Sequence, residues 1–258
     1  MNEDRGMIDA PPVVSRSSEP RSLDRLMVAA GTALALTVAA SVVSIFFDIH
    51  RLSVLSHLLS DALSGDLARF EADVTAAHAS DNQTSVIGIV ELVALVIAGV
   101  CFIAWFRRAY GNLLRLGAAS TRYAPGWAIG AWFVPILNVW RPKQIANDIW
   151  RGSDPSRHGE QPSWSEPVPP LLWFWWGAWL LTGILNRASA QDWNNAASAH
   201  ALRSATGLDI AAECTSILAA GLAIAVVYVL TKRENERASA SQAIDHPPRP
   251  DERPLSPP

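Results

Sequence analysis

The chain has 258 residues, of which half are hydrophobic and only 17% are charged, and its formal net charge is −3. Soluble domains carry about 25% charged residues, so this composition argues against a soluble fold. A negative net charge gives no global basic field and excludes a general affinity for nucleic acid. The two cysteines, Cys101 and Cys214, lie in apolar runs without a Cys-x-x-Cys motif, so neither a zinc site nor a disulfide framework is predicted.

Four apolar blocks are long enough to cross a membrane, whose hydrocarbon core of about 30 Å requires about 20 helical residues. They predict transmembrane helices at about 26–47, 86–106, 168–185 and 208–230. A fifth apolar block, 127–140, has only 14 residues and contains Pro135. The predicted fold class is therefore all-α, an integral membrane bundle of four helices.

The distribution of Arg and Lys sets the orientation, because these residues accumulate on the cytoplasmic side of a membrane. If 127–140 does not cross, 17 basic residues lie on the side of the termini and 4 on the other. If it does cross, the division is 10 and 11. The first arrangement predicts cytoplasmic N- and C-termini. It places 127–140 within an interfacial segment, 124–152, that either lies in the cytoplasmic interface or re-enters the membrane.

The remaining parts of the chain are polar or amphipathic. Low apolar content predicts a disordered cytoplasmic tail at 1–24 and a Pro-rich disordered cytoplasmic tail at 234–258, which leaves 25–233 as the transmembrane domain. Between the first two spans, apolar residues recur every three or four positions from Leu52 to Val74. This spacing predicts an outer amphipathic helix of about six turns.

One stretch of the interfacial segment has a distinctive pattern. It contains Pro125-Gly126-Trp127 and then Trp132-Phe133-Val134-Pro135-Ile136-Leu137-Asn138-Val139-Trp140-Arg141-Pro142. This pattern resembles the family called domain of unknown function 4328, whose members are bacterial multi-pass membrane proteins. The resemblance covers roughly residues 85–230 and implies a location in a bacterial plasma membrane. It implies no activity, because none is assigned to the family.

Tryptophan and basic residues are concentrated in the interfacial segment. Indole rings favour the headgroup level of a bilayer, and cations there meet anionic lipid phosphates. The alternative interpretation is an aromatic belt that only anchors the segment. Asn138 is either a ligand contact or a partner for backbone groups left free by Pro135 and Pro142. The candidate lipid- or partner-binding residues are Trp127, Trp132, Asn138, Trp140, Arg141, Lys143, Trp150 and Arg151.

Two carboxylates, Glu91 and Glu213, lie five residues into the second and fourth spans, roughly 7–8 Å below the outer boundary at 1.5 Å per residue. If their helices are neighbours, they form an intramembrane acid pair that shares a proton or takes a cation. The alternative is a structural role, in which both acids reach up to the outer interface or pair with Arg187 or Arg203. The spacing of Thr206 and Asp209 further predicts that Asp209 caps the start of the fourth span.

No catalytic signature accompanies these residues: phosphate-binding loops, dinucleotide fingerprints, zinc-protease motifs and serine-hydrolase motifs are missing from the sequence. The prediction is a non-enzymatic scaffold or accessory protein without cofactor or metal. Its Trp-rich segment would bind lipid, with a preference for anionic headgroups, or an unidentified protein partner. The alternative is a small proton- or cation-coupled transporter that uses Glu91 and Glu213.

Overall fold

The computed structural model describes residues 20–64, 67–116, 118, 121–156, 166–195 and 199–245. Within the helices, side chains are described except at 58–59, 61–63, 67–84, 194–195, 199–200 and 244–245. The described residues contain no β-strand, so the predicted all-α class is confirmed. The helices are α1 (Asp24–Ser64), α2 (Leu67–Arg115), α3 (Trp127–Gly130), α4 (Arg141–Gly152), α5 (Pro170–Asn195) and α6 (Ala199–Asp245), with a 3₁₀ turn at Leu137–Val139.

Three helices are long and apolar enough to cross a membrane. They contain the predicted first, second and fourth spans, within Asp24–His57, Ser85–Arg115 and Ala201–Ala243. Helix α5 covers most of the predicted third span, but it begins only at Pro170 and its first ten residues include four tryptophans. Helix α5 is not among the three candidate spans, and its tryptophans favour the membrane boundary over the hydrocarbon core. Its crossing stays a prediction.

The four long helices pack in the order α2, α1, α6, α5, with α1 against both α2 and α6, and α6 against α5. Hydrogen bonds connect three of these helices near one end. The Trp105 indole on α2 donates to the Thr231 hydroxyl on α6 at 2.9 Å, and the Asn235 amide on α6 donates to Asp24 on α1 at 3.0 Å. We call this the segment end, because it also carries the interfacial segment. The opposite end, where α1 gives way to α2 and α5 to α6, is the hairpin end.

The hairpin end differs from the prediction. Helices α1 and α2 have 41 and 49 residues. At 1.5 Å per residue they are about 60 and 75 Å long, roughly twice the thickness of a bilayer core. The separate outer helix predicted over Leu52–Val74 is wrong, because α1 ends at Ser64 and α2 begins at Leu67. The apolar spacing in the sequence continues from one helix to the next, and the poor helix former Gly65 lies between them.

The C-terminal boundary is also corrected. The predicted tail begins at residue 234, whereas α6 continues to Asp245. Two side chains beyond the predicted boundary, Glu234 and Arg237, are buried. The Arg237 guanidinium donates to the carbonyl of Leu116 at 2.9 and 3.2 Å and to that of Asp154 at 3.2 Å, so this helical extension packs on the segment end. The predicted tails at 1–19 and 246–258 lie outside the described residues.

The interfacial segment is broken into short pieces by its prolines, whose rings and missing N–H groups interrupt helices. Pro125 precedes α3, and Pro135 separates α3 from the 3₁₀ turn. Pro142 occupies the first turn of α4, a position where proline is tolerated. The segment packs mainly on α2, with smaller contacts from α4 to α5 and α6. It therefore lies beside the ends of α2, α5 and α6.

Candidate functional site

Trp132 is the aromatic centre of the interfacial segment. Its ring lies between α2 and α5, two helices that are not neighbours in the bundle. The ring centroid is 5.7 Å from that of Phe102 and 5.9 Å from that of Phe106 on α2. On α5 it is 5.6 Å from Trp179 and 6.2 Å from Trp176. All four contacts are edge-to-face, with angles of 68° to 86° between the ring planes, a favourable geometry that adds about 0.5–1.5 kcal/mol per pair to the burial energy.

The residues that follow Trp132 form an apolar, exposed face. Phe133 and Ile136 are 71% and 70% exposed, and Trp140 is 44% exposed. Large apolar residues rarely form such a face on a protein surrounded by water. The segment thus has two faces, with the Trp132 ring in the bundle and an outer apolar surface.

The candidate cations Arg141 and Lys143 both contact aromatic rings. The Arg141 guanidinium lies 4.6 Å from the ring centre of Tyr123 and 4.4 Å from that of Trp127. The Lys143 ammonium lies 3.1 Å from the ring centre of Trp173 on α5, and the residue is only 5% exposed. Burial lowers the pKa of Lys143 to about 8, with the nearby Arg151 charge acting in the same direction. These cation–π contacts hold both charges at the edge of the apolar face.

Trp150 and Arg151 connect α4 to its surroundings. The Arg233 guanidinium of α6 lies 4.0 Å from the Trp150 ring centre and donates to the Trp150 carbonyl at 3.1 Å. Arg151 donates twice to the Glu166 carbonyl, at 2.8 and 2.6 Å. Both candidate residues therefore have structural partners. Whether they also meet lipid stays a prediction.

Several polar groups of the segment are buried without a hydrogen-bond partner among the described residues, and two of them bear on the site. One is the amide oxygen of Asn138. The other is the Asp148 carboxylate, which is 0% exposed and lies 3.7 Å from the Arg122 guanidinium. Burial raises the pKa of Asp148 to about 6, against the opposing charges of Arg122 and Arg151. Asp148 was missed in the sequence, although its spacing of three and four residues from Ile145 and Gly152 places it on the buried face of α4.

The predicted acid pair converges on α1. A Ser44 hydroxyl donates to Glu91 at 3.3 Å, and Ser41 forms a side-chain hydrogen bond with Glu213. Helices α2 and α6 are separated by α1, but the two carboxylates reach the same turn of it and interact electrostatically. The second oxygen of Glu91 is buried and has no hydrogen-bond partner among the described residues. The structure therefore places the two acids together, while their sharing of a proton stays a prediction.

Two further acids, Asp48 and Asp209, enlarge this pair to a four-acid cluster near the hairpin end. Asp48 is buried on α1, and both aspartates interact electrostatically with Glu91. Nearby, the Arg51 guanidinium lies 4.2 Å from the ring centre of Trp193, whose indole donates to Asp209 at 2.5 Å. In the part of the chain that the structure describes, no group of three or more His, Cys, Asp or Glu is placed to hold a metal ion.

The predicted cap at Asp209 is wrong. Helix α6 begins at Ala199, ten residues earlier, so Asp209 lies inside the helix. Thr206 donates to the carbonyl of Leu202 at 2.9 Å, which is a helix-interior bond. Asp209 accepts a hydrogen bond from Ser189 of α5, in addition to the one from Trp193. Its role is to connect α5 to α6.

A cleft of about 300 Å³ opens between the helices on the hairpin side of the aromatic centre. Trp132 and Trp179 line it at one end, and Thr37, Thr182 and Ala219 contribute to its walls. Its lining is mostly apolar, with a few hydroxyl and amide groups. This size is at the lower limit of small-molecule sites in proteins, about 300–1,000 Å³.

The family described as Domain of unknown function (DUF4328) matches residues 70–232. The chain belongs to this family. No curated protein and no solved structure matches the chain. In this DUF4328 member, the matched range contains the whole interfacial segment together with Glu91 and Glu213. The resemblance carried by the Pro-Gly-Trp pattern is thus confirmed, whereas Asp48 on α1 and Arg237 at the end of α6 lie outside the match.

Proposed function

We propose that this DUF4328 member is a non-enzymatic scaffold or accessory protein of a bacterial plasma membrane. Its four transmembrane helices are α1, α2, α5 and α6, with the termini and the interfacial segment on the cytoplasmic side. The 17-to-4 division of Arg and Lys supports this orientation. Helix α5 has 26 residues and a length of about 39 Å, which exceeds the roughly 30 Å of a bilayer core.

The two-faced interfacial segment carries the proposal. A segment whose outer surface presents Phe133 and Ile136 at 71% and 70% exposure is suited to lipid rather than to water. Arg141 and Lys143 follow directly after this surface, at the depth where anionic headgroups would meet a segment inserted by its apolar face. The protein would thus bind lipid through the segment, while Trp132 transmits the position of the segment to α2 and α5.

A depth measurement tests this insertion. Ile136→Cys, in a Cys101→Ser/Cys214→Ser background, is labelled with an environment-sensitive fluorophore in proteoliposomes. We expect quenching by nitroxide-bearing lipids and protection from aqueous iodide. Ser156→Cys, an exposed position beyond α4, is the matched control and should show the opposite pattern. Iodide quenching of position 136 as strong as that of position 156 would remove the basis of the proposal.

A small proton- or cation-coupled transporter is the second candidate. The four-acid cluster and the cleft between the helices favour it, because a coupled transporter needs ionisable groups beside a path for its substrate. Its test is flux into proteoliposomes that contain a pH-sensitive dye, driven by a pH or cation gradient. A flux that Glu91→Gln and Glu213→Gln abolish would favour transport. If proteoliposomes with the wild-type protein show no more flux than protein-free liposomes, the transporter candidate is refuted and the scaffold or accessory role is favoured.

A further inference from the structure

A second binding surface lies on the outer side of α2, away from the aromatic centre. Asn112, a residue that is buried at the segment end of α2, fixes one side of this surface. The Asn112 side chain accepts a hydrogen bond from the backbone N–H of Arg21 at 3.2 Å and donates one to its carbonyl at 2.8 Å. This paired bond holds the chain before α1 against α2. It brings the Arg21 side chain beside the basic end of α2.

The result is a groove of about 520 Å³ between the start of α1, α2 and α3. Four arginines line its part nearer the segment end, and no carboxylate from the described part of the chain belongs to the lining. Among the described residues, neither Arg107 nor Arg108 has an acidic partner. The buried Glu234 of α6 interacts with Asn112 but does not line the groove. The arginines are Arg21, Arg107, Arg108 and Arg115.

The part of the groove nearer the hairpin end is apolar. Val100 and Ile103 of α2 and Phe133 of the interfacial segment line it. Val100 is seven residues before Arg107, a separation of about 10 Å along the helix. The groove therefore changes from apolar to cationic over the distance that separates acyl chains from phosphate in a lipid. Free phosphate or a soluble anion would make no use of the apolar part.

We propose that this groove binds one anionic diacyl phospholipid, with its phosphate at Arg21, Arg107 and Arg108 and its acyl chains along Val100 and Ile103. This site rests on the proposed membrane location but not on insertion of the interfacial segment's tip. It places one specific lipid on α2, in addition to the general attraction of anionic headgroups to Arg141 and Lys143, whose charges lie against aromatic rings. The groove would be a specific site, in contrast to a diffuse attraction to the membrane surface.

Native mass spectrometry of the full chain in neutral detergent tests the site. We expect wild type to retain one phosphatidylglycerol in preference to phosphatidylcholine with the same chains. Arg107→Gln/Arg108→Gln should lower that preference by about tenfold or more. The matched control, Arg187→Gln/Arg203→Gln, removes two exposed arginines near the hairpin end and should keep the preference. An equal loss in the control would show a general charge effect and overturn the proposal.

A charge-neutral variant separates a groove from surface attraction. Gly111 lines the groove, and a Cβ added there meets nothing within 4 Å, so Gly111→Phe would place a large uncharged side chain in the groove. It should lose the bound lipid while keeping all four arginines. Gly177→Phe, at an equally open position on α5, is the control for bulk and should retain the lipid. Retention by Gly111→Phe would contradict binding in the groove.

Two further measurements identify the class of ligand and distinguish a failure of this inference from a failure of the proposed function. Glycerol 3-phosphate at millimolar concentration should not displace the lipid, and displacement would show a site for soluble phosphate instead. The fluorophore at position 136 should stay lipid-quenched in Arg107→Gln/Arg108→Gln. If quenching persists and the lipid preference does not change, the groove is wrong and the proposed function stands. If position 136 is exposed to iodide, the proposed function fails whatever the groove binds.

Discussion

Gly152, the last residue of α4, is the closest point between the interfacial segment and α2. A Cβ at this position would lie 2.7 and 3.1 Å from the two methyl carbons of Leu113, a side chain that is itself fully buried. Carbon atoms in contact prefer about 3.5–4.0 Å, so Gly152→Ala forces either Leu113 or α4 to move. Overpacking of this kind costs about 1–3 kcal/mol.

The stabilisation that alanine provides over glycine is small in comparison. Replacing a helical glycine by alanine gains about 0.5–1 kcal/mol from backbone entropy. The gain is smaller than the overpacking cost, and Gly152→Ala should be less stable than wild type by about 1–2 kcal/mol. Gly177→Ala on α5 is the matched control, since its Cβ would meet nothing within 4 Å. It should be neutral or slightly stabilising.

Thermal unfolding in a fixed detergent, followed by near-UV circular dichroism of the tryptophans, measures the difference. Leu113→Val, which shortens the opposing side chain, should recover stability when combined with Gly152→Ala. The two single effects should then be non-additive, as expected for residues in contact. The close packing of α4 on α2 would be refuted by two results together. Gly152→Ala and Gly177→Ala would have the same unfolding midpoint, and the effects of Leu113→Val and Gly152→Ala would add in the double variant.

Three other predictions concern the segment and its support. Asp148 has a folded-state pKa raised to about 6 from 3.8, so its contribution to stability is fully present below pH 4, falls by on the order of 3 kcal/mol as pH rises to about 6, and levels off above it. Glu234 also has a pKa raised by burial, so unfolding midpoints between pH 4 and 6 should fall less for Asp148→Asn than for wild type, without becoming flat. Trp132→Ala should cost about 3–5 kcal/mol, and Trp132→Phe clearly less, in the same unfolding assay. Deleting 234–258 removes the Arg237 hydrogen bonds and should lower folded yield on size-exclusion chromatography, whereas deleting only 246–258 should leave it unchanged; equal profiles would contradict a structural role for the end of α6.

The apolar blocks located the long helices because burial in lipid needs continuous apolar sequence, and this signal depends little on neighbours. The limits of the helices were harder to place. The six prolines of the C-terminal region 234–258 all follow Asp245. Averaged over the whole region, the composition indicated disorder, although its first twelve residues contain no proline and are compatible with a helix. Only the bundle explains why these fold, since the Arg237 guanidinium needs carbonyls from Leu116 and Asp154, far away in sequence.

The candidate site was predicted in location and only partly in detail. Trp and basic residues marked the interfacial segment, but the sequence does not show which rings point inward. Trp132 and Trp140 are eight residues apart and have opposite environments, because Pro135 breaks the helical period between them. The arginine groove was missed for a related reason. Arg21 precedes the first span by a few residues, and nothing local connects it to Asn112, 91 residues later.

The packing order of the long helices has a consequence for how the chain assembles during synthesis. Helix α1 emerges first and finds its partner α2 next, so these two can associate early as a hairpin. Helix α5 gains its long interface from α6, the last to be made. Until then, Trp175, Trp176 and Trp179 in its first half can contact the interfacial segment and the end of α2. In that interval, packing against Trp132 would keep part of the aromatic surface of α5 covered. The segment would thus limit the exposure of α5 to other apolar surfaces until α6 is made.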